Sequence, residues 1–141
     1  MSRRPPATGG RGLRLLRAWA PALLWAGGIF WFSSRPTVPL PSVAYSDKLA
    51  HFAAYAGFGL VLARGEAALR GRAGALTLAL GLLYAASDEY HQSFVPGRSV
   101  ELADWGADAL GVAAGLGAWH LLHRRARRAP PLRSASDSAT A

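Results

Sequence analysis

The stretch AGALTLALGLLYAASDEYHQSFVPGR, residues 73–98, reads as an apolar helix that closes on a polar cluster and stops before Pro96-Gly97, a turn signal. Near its end Asp88 and Gln92 stand four residues apart. That spacing is a little more than one helical turn, so the two side chains share a face. Two further apolar stretches repeat the device: Asp47 and His51 open one, and Asp104 and Asp108 open the other. Ionisable groups are costly in hydrocarbon unless they are paired, hydrated or functional.

The 141 residues suffice for one domain, and 51% of them are hydrophobic although the net charge is +8. The arginines are gathered rather than spread. Arg3, Arg4, Arg11, Arg14 and Arg17 lead the chain, Arg64, Arg70 and Arg72 sit near its middle, and Arg124, Arg125, Arg127, Arg128 and Arg133 close it. Basic tails alone would suit nucleic acid, but long runs of Leu, Ala, Gly, Trp and Phe lie between them. The expectation is an integral membrane protein with membrane lipid as its partner and no nucleic acid. With no cysteine there is no disulfide, no Cys-ligated zinc and no thiol nucleophile.

Residues 1–14 read as a disordered basic tail and 123–141 as another, flanking a domain over 15–122. The first apolar stretch, about 15–33, is long enough to span at roughly 20 residues per crossing. Its basic start also suits a signal peptide, but bulky Phe30-Trp31-Phe32 and the lack of a clean small-residue cleavage site favour a retained helix. Pro36, Pro39 and Pro41 make 34–46 a loop. Helices are expected at 47–63, 73–94 and 102–122, with a basic loop at 64–72. Gly111-x-x-x-Gly115 in the last allows close helix contact. The two tails, the very start of the first stretch (Arg17) and the 64–72 loop hold all the arginines except Arg35 and Arg98. The positive-inside rule then predicts an all-α, four-helix transmembrane bundle with both termini cytoplasmic, and it places the three polar pairs at the extracytoplasmic face.

At a rise of about 1.5 Å per residue, His51 lies roughly 6 Å inside its helix end, and Asp88 and Asp108 roughly 9 Å inside theirs. Matched depth points to one shared site. Tyr55 continues the Asp47–His51 face and Tyr84 the Asp88–Gln92 face, for packing or for hydrogen bonding inward. Glu89 and His91 fall on other faces. His91 is expected to be hydrated at the membrane edge, and Glu89 must snorkel, be protonated or face another helix. Lys48 is expected to snorkel to phosphate or pair locally.

These residues match a family pattern. Asp47-Lys48-Leu49-Ala50-His51-Phe52 with Tyr55, then Asp88-Glu89-Tyr90-His91-Gln92-Ser93-Phe94-Val95-Pro96-Gly97-Arg98, then Asp104 with Gly111 and Gly115, resemble the VanZ-like membrane proteins over about residues 20–122. The resemblance implies a bacterial cell-envelope role in the inner membrane; the family takes its name from a protein linked to low-level teicoplanin resistance. It supplies no reaction and no cofactor. One position departs from the pattern: Asp108 stands where an asparagine is usual. A carboxylate there repels Asp104, and a cation or a proton relieves that repulsion.

Three readings of the polar residues stand at this point. In the first, the protein binds or handles a lipid-linked or anionic envelope component, with Lys48, Gln92 and Arg98 contacting it. In the second, it is an intramembrane enzyme acting on a phospholipid or lipid-linked phosphate. His51 is then general base or nucleophile, Asp47 or Asp104 orients it, Asp88 is a further catalytic candidate and Arg98 holds the phosphate; alternatively His51, Asp88, Asp104 and Asp108 bind a divalent cation. In the third, hydrogen bonds among these groups stitch the helices together at about 0.6–2 kcal/mol each.

Overall fold

The computed structural model describes residues 9–36 and 46–128. Over them the chain forms four helices and no strand: α1 (Gly9–Ser33), α2 (Ser46–Arg70), α3 (Ala75–Gln92) and α4 (Leu102–Arg128). The helix count matches the sequence reading, but the ends differ. Residues 9–14, expected as tail, begin α1, and α2 runs on through most of the expected 64–72 loop. The Ala-, Leu- and Arg-rich continuation of α2 is a good helix former, so nothing local stops that helix where its apolar run stops. The expected loop at 34–46 lies largely outside the described residues.

Contacts set the helix directions. Trp25 Nε1 donates to Ala54 O (2.9 Å) and Arg64 Nη1 to Arg17 O (3.4 Å), so α1 and α2 are antiparallel. Tyr55 meets Asp88 near one end of α2, and Glu66 meets Thr77 near the other, so α2 and α3 are antiparallel. Lys48 pairs with Asp104, whereas Ala56 abuts Gly115, so α2 and α4 run parallel. The helices therefore alternate in direction. The start of α1, the α2–α3 turn and the end of α4 share one end of the bundle; Ser33, Lys48, Gln92 and Asp104 share the other.

The closest packing lies between α2 and α4. A Cβ at Gly111 would stand 2.5 Å from Phe52 O, and one at Gly59 would stand 2.5 Å from Val112 O. Gly115 faces Ala56 O more closely still. Only glycine admits backbone approach of this kind. The apolar core comprises Ala22, Ile29, Tyr55, Phe58, Leu62, Ala85 and Val112.

The α2–α3 turn is held by a carboxylate. Glu66 is buried, and its Oε2 accepts from Gly74 N (2.8 Å), Thr77 N (2.9 Å) and Thr77 Oγ1 (2.8 Å). Gly74 is the N-cap of α3 and brings no side chain to the task, so a residue of α2 caps α3 instead.

Among the described helices, α1 alone is long and apolar enough to cross a membrane by length and composition. Acidic residues within α2, α3 and α4 dilute their apolar runs.

Candidate functional site

The polar residues gather at the end of the bundle opposite the described chain ends, in three adjoining clusters. The outermost centres on Lys48. Its Nζ lies 2.9 Å from Asp104 Oδ1, 3.0 Å from Glu101 Oε2 and 3.3 Å from Asp47 Oδ2. Asp104 is buried, whereas Asp47 and Glu101 are exposed. Lys48 thus pairs chiefly with α4, the local pairing the sequence allowed. Asp47 faces outward and belongs to the rim; it does not orient His51.

Deeper in, His51 Nδ1 lies 2.9 Å from Asp108 Oδ1. The carboxylate that orients His51 is therefore Asp108 rather than Asp47 or Asp104. The inward stripe of α2 is Lys48, His51 and Tyr55, spaced three and four apart, and it is turned by one residue from the expected Asp47–His51 pair.

The third cluster surrounds Asp88, which is buried. Its Oδ2 accepts from Ser33 Oγ (2.9 Å), Tyr55 Oη (3.2 Å) and Gln92 Nε2 (3.3 Å). Helices α1, α2 and α3 thus meet on one oxygen. Three donors are what a buried carboxylate needs. The i, i+4 reading of Asp88 and Gln92 describes a real contact. Tyr55 bonds into the polar layer, but Tyr84 turns away and donates to Ala26 O of α1 at 2.6 Å. His91 is engaged with α1: it stacks on Phe30, ring centroids 4.5 Å apart, and its Nε2 lies 2.9 Å from Ser34 Oγ.

Glu89 stands between the clusters. It is buried and faces α4, the third of the options open to it; its Oε2 accepts from Glu101 N at 3.3 Å. One donor atom each from His51, Glu89 and Asp108 lie within 4.8 Å of one another. This set shares His51 and Asp108 with the four metal-ligand candidates and adds Glu89; Asp88 Oδ2 meets three donors and Asp104 Oδ1 meets Lys48. Glu89 was legible, because Thr77, Gly81, Ala85 and Glu89 form an i+4 stripe of mostly small residues, the kind that faces a neighbouring helix. Ser33 carried no such signal. It lies at the end of α1, the helix without a polar pair.

Arg98 follows Gly97, whose φ of 81° turns the chain out of α3. Its Nε donates to Arg35 O at 3.5 Å, and Arg35 stacks over Trp31, 3.7 Å from the ring centroid. Arg98 therefore lies beside the end of α1, at the edge of the layer.

No curated protein and no solved structure matches the chain. A family model described as VanZ/LLP1 matches residues 18–123, which takes in almost all of the helical bundle and every residue of the three clusters. The chain belongs to the VanZ/LLP1 family.

Proposed function

We propose that the four helices span the bacterial inner membrane, both termini cytoplasmic, and that the polar layer lies in the outer leaflet, where it binds or handles a lipid-linked or anionic envelope component. The observation that carries this reading is an inverted burial pattern. Asp88, Glu89, Gln92, Asp104 and Asp108 are buried, while Leu24 is 77% exposed, Leu83 69% and Leu110 67%. A bundle in water buries its leucines and exposes its carboxylates; lipid rewards the reverse. The arginines at the other end favour that end as the cytoplasmic one.

For an anionic group, the geometry favours Arg98 and Arg35 over Lys48. Lys48 is surrounded by three carboxylates, whereas among the described residues neither guanidinium is ion-paired. Arginine also suits planar two-point contact with phosphate or carboxylate.

The test is growth under a glycopeptide or other envelope stress, scored beside membrane protein level. His51→Ala, Asp88→Asn, Asp104→Asn and Arg98→Ala are expected to lose the phenotype with the protein still inserted, while Leu83→Ala on the lipid-facing surface keeps it. Four active variants would remove the site; four absent from the membrane would favour the purely structural reading.

A second reading, an intramembrane enzyme acting on a phospholipid or lipid-linked phosphate, draws support from the His51–Asp108 contact. A carboxylate on Nδ1 fixes the imidazole orientation and leaves Nε2 for acid–base work.

A further inference from the structure

Among the described residues, two buried oxygens in the polar layer have no hydrogen-bond partner: Glu89 Oε1 and Asp108 Oδ2. Glu89 is 5% exposed and Asp108 0%. Leaving a buried acceptor unsatisfied is costly, more so for a charged one. Asp88 has three donors, Asp104 has Lys48, and Glu101 and Asp47 reach solvent. The two orphaned oxygens belong to the residues that converge with His51.

We propose that His51, Glu89 and Asp108 form a binding site for one divalent first-row transition-metal ion. One donor atom from each residue lies within 4.8 Å of the other two. His51 Nδ1 and Asp108 Oδ1 are 2.9 Å apart, and donors at that separation subtend about a right angle at an ion about 2.1 Å from each.

Charge points the same way. Among the described residues, the ion pairs of the buried carboxylates Asp88, Glu89, Asp104 and Asp108 are Lys48 with Asp104 and His51 with Asp108. An ion of charge two on neutral His51 balances Glu89 and Asp108 together, which a single shared proton does not. Mixed imidazole and carboxylate ligands suit zinc or manganese rather than the all-oxygen sites of calcium. Each ligand comes from a different helix, so the ion would join α2, α3 and α4 at one point. The inference is independent of what the outer face binds: it is read on purified protein, whereas the envelope role is read in cells.

The experiment uses the full chain in detergent, stripped with chelator and titrated separately with Zn²⁺ and Mn²⁺. One equivalent of one of these ions is expected to bind and to raise the thermal midpoint. Glu89→Gln and Asp108→Asn should each weaken binding at least about tenfold, while Asp47→Asn at the exposed rim leaves it unchanged. X-ray absorption at the bound metal's edge, on the unaltered protein, should show nitrogen and oxygen donors together, a readout that does not depend on the variants folding. Sub-stoichiometric binding, binding equal in Glu89→Gln and Asp108→Asn, or an all-oxygen shell would each overturn the site.

Discussion

At the scale of single residues, Asp88 shows how much one oxygen can organise. Ser33, Tyr55 and Gln92 all donate to its Oδ2, from three helices. Interhelical hydrogen bonds in membranes average about 0.6 kcal/mol, and bonds to charged groups in water-soluble proteins reach about 1.5–3 kcal/mol. Tyr55→Phe is expected to fall between them, at about 1–2 kcal/mol of lost stability. Tyr84→Phe removes a bond to a neutral carbonyl, that of Ala26, and should cost less. Denaturation in mixed detergent would give both values, and a larger loss at Tyr84 would contradict this account of Asp88. The i, i+4 spacing made the Asp88–Gln92 contact legible in the sequence. The tyrosine roles were not, because spacing alone does not separate a hydroxyl that enters the polar layer from one that reaches a neighbouring backbone.

At the scale of elements, the bond between α2 and α3 depends on Glu66, a residue whose function no motif announces. It lies beyond the expected span 47–63, at the arginine-rich end. Burial pushes its carboxyl pKa up, but the Gly74 N–H, the Thr77 hydroxyl and N–H, and the Arg70 charge outweigh that and hold it below its ordinary value. A carboxylate lowered in the folded state adds stability that is fully present above the unfolded value of about 4.3 and is lost as pH falls through the lower folded value. Glu66→Gln should therefore lower the thermal midpoint at neutral pH, at a cost of about 1–3 kcal/mol. The difference from the unaltered protein should shrink on acidification below about pH 4. Midpoints measured across that range check it, and a gap that stays constant down to pH 3 would mean that the charge of Glu66 is irrelevant to the cap. The α2–α4 pair belongs to this scale too. Gly111 and Gly115 were visible as a spacing, but the same spacing occurs by chance in a chain with 16 glycines. Only the approach of Phe52 O and Ala56 O identifies it as a helix contact.

At the scale of the whole molecule, the alternating helices place the described chain ends and the 71–74 turn together, away from the polar layer. With the positive-inside rule this predicts that a reporter fused at the C-terminus and one inserted at Ser99 will report opposite sides of the membrane. Ser99 lies in the exposed segment between α3 and α4, so an insertion there spares the helices. Equal activity of the two reporters, or an outward C-terminus, would reverse the proposed orientation and move the polar layer to the cytosolic side.

Apolar run length, Pro-Gly punctuation and arginine placement are local or additive properties, and from them the sequence alone yields four helices and their order; the family came from the resemblance of its motifs. The same spacing arguments place polar groups near one end of three helices. They do not say which carboxylate meets which cation. Successive residues on a helix are about 100° apart, so one residue of rotation exchanges Asp47 for Lys48 as the inward group and brings Glu89 in beside Asp88. That rotation follows from where the helices touch: Gly111 and Gly115 against the backbone of α2, Gly59 against the Val112 backbone, and Gly81 against the Val112 side chain. These contacts pair Lys48 with Asp104 and His51 with Asp108, and they bring in Ser33 from a helix with no polar pair of its own. Each is a contact between residues far apart in the chain, and it exists only once the helices have packed.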